Sequence, residues 1–360
     1  MQGSSGFRRS SAHLGLLLAL GLCLVGGGTA AGTDLDEEPV AFRINLSLDR
    51  VSAFSDTLGR SASVAYPMGS SINPAGWDFL REPPFDFDAV GTLTTNYVRF
   101  DEGATVTGFA GTAGYRLPEA GSVFATYVRT DSHQATSRQG NDFRLDSDEL
   151  TVGYSRRLRR GLAVGGSVKL LQSFLSYDDM VMGFPQDTDI DSEGLTLSGG
   201  VLAALSEQWL AGFTGSVGWT DSDIDGTLSL PPPPFGPGPM PINENDSVRT
   251  VNLRGGLGWQ PCEAVGFYGD GQYLHLEGEA GTADVGRILA GVEAWPSEQW
   301  VVRLGGSLDT EHQGTASAGL GFYGIENVPI EFAYVYNAFP EVNREFGRSH
   351  LLSLSAVVVF

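Results

Sequence analysis

From residue 87 to the end of the chain, apolar positions recur at every second residue. In 209–220, Trp209, Ala211, Phe213, Val217 and Trp219 share one face, while Thr214, Ser216 and Thr220 share the other. In 250–260, Val251, Leu253, Leu257 and Trp259 oppose Asn252, Arg254 and Gln260; in 300–309, Trp300, Val302, Leu304 and Leu308 oppose Arg303, Ser307 and Asp309. A period of two is the strand signature, because successive side chains point to opposite faces of a sheet. The alternation predicts fourteen strands, at roughly 87–100, 104–116, 121–131, 147–157, 161–176, 192–205, 209–220, 247–260, 263–276, 283–295, 299–309, 314–324, 328–337 and 347–360.

Most of these segments run to 10–16 residues. That exceeds the ~5–6 residues of a globular strand and suffices for the ~9–11 that a tilted strand needs to cross a bilayer. With the first segment outward-going, connections after even segments are short (Leu117–Ala120, Ser206–Gln208, Pro261–Cys262, Pro296–Glu298), whereas long ones follow odd segments at about 132–146, 177–191 and 221–246. Short periplasmic turns alternating with long outer loops characterise membrane barrels, and Trp209, Trp219, Tyr268 and Tyr273 near segment ends suit interfacial girdles. The pattern predicts an all-β fold: a transmembrane antiparallel β-barrel of about fourteen strands over 87–360. A soluble sandwich or solenoid would explain the alternation but neither the strand lengths nor the loop asymmetry.

Composition narrows the class. A net charge of −21 excludes a nucleic-acid binder, and 41% hydrophobic with only 18% charged residues excludes a disordered acidic tail. Arg8 and Arg9 precede an apolar run from Leu14 to Val25 that ends in Gly-Gly-Gly-Thr-Ala-Ala, the order of a secretory signal peptide, so 1–31 is expected to be removed. Cys23 would leave with it, and Cys262 alone makes neither a disulfide nor a metal site.

The end of the chain places Leu352, Leu354, Ala356, Val358 and Phe360 on one face. This resembles the sorting signal of bacterial outer-membrane barrels, with Phe360 as the terminal aromatic, and implies handling by the barrel-assembly machinery of a Gram-negative cell. Between the leader and the first strand, 32–86 carries Ala41-Phe42-Arg43-Ile44-Asn45, Leu58-Gly59-Arg60-Ser61-Ala62 and Asn73-Pro74-Ala75-Gly76. In that order they resemble the N-terminal hatch of the FadL family of outer-membrane long-chain fatty acid and hydrophobic-compound transporters. The closing Gly347-Arg348-Ser349-His350-Leu351-Leu352-Ser353-Leu354 looks closer to the related PorV-like barrels. The resemblance implies an N-terminal plug with Asn73, Pro74, Ala75 and Gly76 as its hatch motif, and transport of a hydrophobic small molecule. The PorV-like alternative is a scaffold or shuttle barrel that docks exported proteins.

Such a transporter captures its cargo by burying apolar area, at about 25 cal/mol per Å². Candidate capture residues are Met180, Met182 and Phe184 in one loop, and Leu230, Phe235 and Met240 in another, although these could simply pack the loops together. Asp221-Ser-Asp223-Ile-Asp225-Gly226 opens like a calcium loop, but its twelfth position is Pro232. It and Asp187, Asp189, Asp191 and Glu193 read as solvated loop charge, with divalent bridging to lipopolysaccharide phosphates as the other reading. Lys169, Arg254, Asp270, Arg287, Glu293, Arg303, Asp309 and Glu331 fall on the inward face, where they would pair across the lumen or hold the plug. The five histidines are scattered and form no catalytic constellation, so no enzyme activity, cofactor or metal is expected.

Overall fold

The alternating segments form one antiparallel sheet whose last strand returns to its first. The computed structural model describes residues 72–79, 88–118, 120–133, 135–136, 142–181, 184–230, 238–278, 281–310 and 313–360. The leader 1–31 and the remainder of 32–86 lie outside the described residues. The long strands are β1 (Ala89–Phe100), β2 (Thr105–Leu117), β3 (Gly121–His133), β4 (Asp142–Arg159), β5 (Leu162–Val181), β6 (Phe184–Ala204) and β7 (Trp209–Leu228). There follow β8 (Met240–Cys262), β9 (Val265–Gly278), β10 (Gly281–Ser297), β11 (Trp300–Asp309), β12 (Gly314–Phe322), β13 (Ile330–Tyr336) and β14 (Ser349–Val359). A two-residue strand, Ala135–Thr136, lies along the start of β4.

Each strand pairs with its neighbours in sequence, and β1 pairs with both β2 and β14. The seam is fastened at its end: Phe360 N donates to Ala89 O at 2.8 Å and Asp88 N to Phe360 O at 3.0 Å. A closed ring leaves no strand edge for lipid to meet, the condition a sheet must satisfy to span a bilayer. Apolar side chains such as Leu93, Phe109, Val152, Leu170, Phe213, Leu304 and Leu354 stand exposed on the outer wall. Toward the end where β1 begins and β14 finishes, Trp209 stacks on Trp259 (5.9 Å between centroids), Trp259 on Phe267 (5.5 Å), and Trp300 meets Phe322 (4.8 Å). Tyr268, expected in a girdle, instead turns inward over Gly258 and Gly266, which have no side chains to obstruct it.

The inward charges pair along the wall, between strands one or two places apart, rather than across the lumen. Arg254 Nε meets Asp270 at 2.8 Å and Lys169 Nζ meets Glu149 at 3.7 Å. Arg303, only 1% exposed, bridges Glu293 (2.8 Å) and Glu331 (2.9 Å), and its Nη2 also donates to the Tyr323 hydroxyl at 3.1 Å. These contacts tie β10, β11 and β13 together inside the barrel.

The wall is uneven. Strands β4 to β8 have 18 to 23 residues, whereas β11, β12 and β13 have 10, 9 and 7. At about 3.3 Å per residue the taller strands far exceed the ~25 Å apolar band of such barrels. Consequently most of the expected outer loops at 132–146, 177–191 and 221–246 are strand. The hydrophobic face switches along the tall strands. Lower down, Val152, Leu170, Leu197 and Val217 point out; higher up, Leu145, Leu175, Ile190 and Ile224 point in.

Arg303→Ala leaves two carboxylates buried without their cation and should destabilise the barrel by about 3–5 kcal/mol. Urea unfolding in detergent measures this. Combining Arg303→Met with Glu293→Gln and Glu331→Gln should recover most of the loss.

Candidate functional site

Two structures occupy the inside of the barrel at opposite ends. At the end where β1 begins and β14 finishes, residues 72–79 lie against the inner faces of β2 to β6. Asn73 Oδ1 accepts from Ala75 N at 3.1 Å, and Gly76 N donates to Asn73 O at 3.0 Å. This is the Asn-Pro turn expected from side-chain capping and a fixed proline φ, and it leads into a single helical turn, α1 (Gly76–Phe79). Asn73 Nδ2 donates to Val201 O at 3.0 Å.

The acid that follows the motif is its main anchor. Asp78, fully buried, accepts from Ser122 Oγ at 3.1 Å and from the backbone N–H of Arg157, while its own N–H donates to Ser155 Oγ at 3.1 Å. Ser155 Oγ in turn donates to Ala75 O at 3.2 Å. Trp77 stacks on Phe124 with centroids 5.3 Å apart and planes 11° from parallel. Three wall glycines admit the segment: a Cβ on Gly114 would fall within the Trp77 ring, and one on Gly165 or Gly200 would strike Pro74 or Asn73. The sequence motif covers Asn73–Gly76, whereas Trp77 and Asp78, which make the stacking and anchoring contacts, follow directly after it as a tryptophan and an acid.

At the opposite end the connection between β13 and β14 turns into the mouth. A 3₁₀ turn (Pro340–Val342) and one helical turn, α2 (Asn343–Phe346), carry Ala338, Phe339, Val342 and Phe346 into burial. They join Val98, Phe100, Ala104, Val106, Val335 and Leu351 with Leu145, Leu175 and Ile190 of the tall strands in one apolar cluster. Phe346 packs between Phe100 (5.5 Å) and Phe143 (5.1 Å), and Phe339 lies 6.1 Å from Phe100. Backbone contacts pin both ends of the connection: Asn337 N donates to Ser349 O at 2.6 Å, Phe339 N to Ser349 Oγ at 2.8 Å, and Glu102 N to Phe346 O at 3.3 Å. Asn337 (φ 55°) and Gly347 (φ 71°) make the left-handed bends that bracket this cap.

Polar layers lie beneath the cap. Cross-strand register aligns Thr130, Ser147, Ser173, Ser192 and Ser222 in one inward row of small hydroxyls, one step below the apolar row Leu145, Leu175, Ile190 and Ile224. Nearer the seam, Asn96 and Ser353 face each other directly below Val98 and Leu351, and Asn96's amide atoms and Ser353's hydroxyl have no hydrogen-bond partner among the described residues. The arrangement can hold an apolar molecule at the mouth and present hydrogen-bonding groups to whatever passes inward.

Four of the capture residues expected from the sequence, Met180, Phe184, Leu230 and Met240, stand on described backbone at hairpin tips. Met180 pairs with Pro185 beside Phe184 at the β5–β6 hairpin tip, and Met240 pairs with Leu228, two residues before Leu230, at the next tip. Met182 and Phe235 lie outside the described residues. Met240 is 48% exposed and belongs to no described apolar cluster. Of the histidines, His275 Nδ1 lies 2.8 Å from Asp284 on the outer wall.

No family model matches the sequence, and no curated protein matches it either. Solved structures do. The Ralstonia pickettii toluene transporter TbuX superposes with a TM-score of 0.61 at 12% identity, over 86% of this chain and 98% of its own. A Pseudomonas aeruginosa FadL homologue gives 0.61 at 13%, over 85% and 98%, and the Pseudomonas putida toluene transporter TodX gives 0.57 at 14%, over 85% and 96%. The chain has the FadL-type barrel fold. Within this FadL-type barrel, the buried 72–79 segment and the apolar cap stand at opposite ends of one polar lumen.

Asp78→Ala removes the acceptor for Ser122 and for the Arg157 backbone, and should loosen 72–79 from the wall. With Cys262 replaced by serine, a cysteine at Ala75 should resist a water-soluble maleimide in the parent. In the Asp78→Ala background it should be labelled.

Proposed function

We propose that this chain is an outer-membrane transporter of hydrophobic small molecules, with its termini on the periplasmic side and 32–86 acting as a plug. The observation that carries the reading is the apolar cap, a cluster of phenylalanines and aliphatic side chains set inside the mouth above the hydroxyl row Thr130, Ser147, Ser173, Ser192 and Ser222. An open porin gains nothing from such a cluster, and a barrel that only docks proteins on its outside has no use for it. The toluene transporters and the FadL homologue that share the fold support the same reading. A molecule leaving water for the cap gains roughly 25 cal/mol per Å² of apolar surface buried. The hairpin tips with Met180, Met182, Phe184, Leu230, Phe235 and Met240 would make the first contact. Inward passage then requires the plug to move off the glycine-lined wall at Gly114, Gly165 and Gly200. Phe360 serves as the assembly signal, and lipopolysaccharide is the surrounding lipid.

Expression in a Gram-negative host lacking its own hydrophobic-compound transporters tests this, with toluene and a long-chain fatty acid as probes. Initial uptake of at least one should rise above the empty vector, and Phe346→Asp should lower it about tenfold, the equivalent of one buried aromatic. No rise with either probe would overturn the reading. In planar bilayers, deletion of 32–86 should turn a quiet barrel into an ion-conducting one, and a silent deletion variant would count against the plug.

A further inference from the structure

Outside the lumen, the wall of β3 to β7 carries a groove of about 620 Å³. Two adjacent cross-strand rows make it. Asp148, Gln172, Glu193 and Asp221 are successive register partners and form the upper lip. Leu150, Leu170, Leu195 and Trp219 are likewise successive partners and form the lower lip. Tyr127 closes one end, opposite Leu150, with its hydroxyl bonded to Asp148. The backbone of Glu149, Leu171 and Gly194 makes the floor, since the first two side chains point inward and Gly194 has none.

The two lips have opposite chemistry. The lower one exposes an indole and three leucines, each 39–52% accessible. On the upper one, Arg129 reaches Asp148 at 3.7 Å, but Glu193 and Asp221, directly opposite each other, have no cation partner among the described residues. Arg249, the register partner of Trp219, instead pairs with Glu277 at 3.9 Å. The next row up adds Asp146, which Arg144 meets at 2.8 Å, with Asp191 and Asp223, and the row above that holds Asp189 and Asp225 together with Arg144 itself. A lipid phosphate set in this groove would face uncompensated carboxylates. A cation would find two carboxylates and an indole face.

We propose that this groove is a binding site for a cationic amphiphile: the charged head sits between Glu193 and Asp221 beside Trp219, and the apolar body lies along Leu195, Leu170 and Leu150. The site is independent of the lumen and of any transport through it. Its volume falls in the ~300–1,000 Å³ range of small-molecule sites.

Dodecylpyridinium is a suitable probe, because its head group quenches tryptophan fluorescence on contact. It is titrated into the full-length protein in maltoside micelles, where competition from detergent chains is the same for every variant. The site predicts saturable quenching that Trp219→Phe removes, and a midpoint raised about tenfold by E193Q/D221N. Both substitutions are exposed and nearly isosteric, and retained heat-modifiable migration on gels confirms folding. An unchanged midpoint in E193Q/D221N would overturn the proposal. So would unsaturable quenching equal in all variants, which is micelle partitioning, or equally tight competition by uncharged dodecanol.

Discussion

Everything in this molecule depends on the pairing of β1 with β14. Eleven register pairs, from Val90 opposite Val359 to Phe100 opposite Ser349, turn a sheet into a ring. In hydrocarbon an unpaired strand edge would leave several backbone N–H and C=O groups without water or partner, each costing several kcal/mol. Closure removes that cost and also fixes what is inside and what is outside. Once the ring is shut, alternation alone sorts Leu352 and Leu354 to lipid and Leu351, Ser353 and Ser355 to the lumen.

The interior this creates would ordinarily be filled with polar side chains and water. Here its two ends are treated differently. Residues 72–79 are held by directed hydrogen bonds to Asp78, by Trp77 stacked on Phe124 and by glycine clearances, a contact that is specific in geometry. The cap at the other end is held by apolar packing around Phe346, with backbone bonds only at its margins. Packing of that kind is non-directional, so the cap tolerates a hydrophobic guest in a way the polar anchor does not. Between them, buried ion pairs such as Arg254–Asp270 stiffen the wall without projecting free charge toward the cap.

Sequence alternation located β1 to β3 and β9 to β14 to within about two residues, because these strands extend little beyond the segment whose apolar face points outward. Strands β4 to β8 were cut short for a physical reason. Near Glu149, Leu171, Gly194 and Thr220 the strands leave the apolar zone, and their hydrophobic face moves from outside to inside. A pattern read with one fixed phase ends there, so Asp187-Thr188-Asp189-Ile190-Asp191 looked like charged loop rather than strand with acids outward and Ile190 inward. The cap was illegible for another reason: Ala338, Phe339, Val342 and Phe346 have neither a strand nor a long helical period, and their partners lie far away in the chain. Asn73-Pro74-Ala75-Gly76 could be recognised as a motif, but its dependence on Ser155, Gly165 and Gly200 is a product of the closed ring.

The tall wall has a cost at its margins, because strands that outgrow their neighbours acquire free sides. On the β3 side, Ala135 and Thr136 cover the start of β4, opposite Phe143 and Asp142. On the other side, β9 runs out at Glu277 opposite Arg249, and β8 continues to Met240 with no partner there among the described residues. An exposed ladder of this length invites a neighbouring barrel to zip onto it. The stretch Met240-Pro241-Ile242-Asn243-Glu244-Asn245-Asp246 answers with a proline that offers no N–H and two acids that repel their own kind. Crowded side by side in one membrane, copies of this protein should therefore remain separate along that margin.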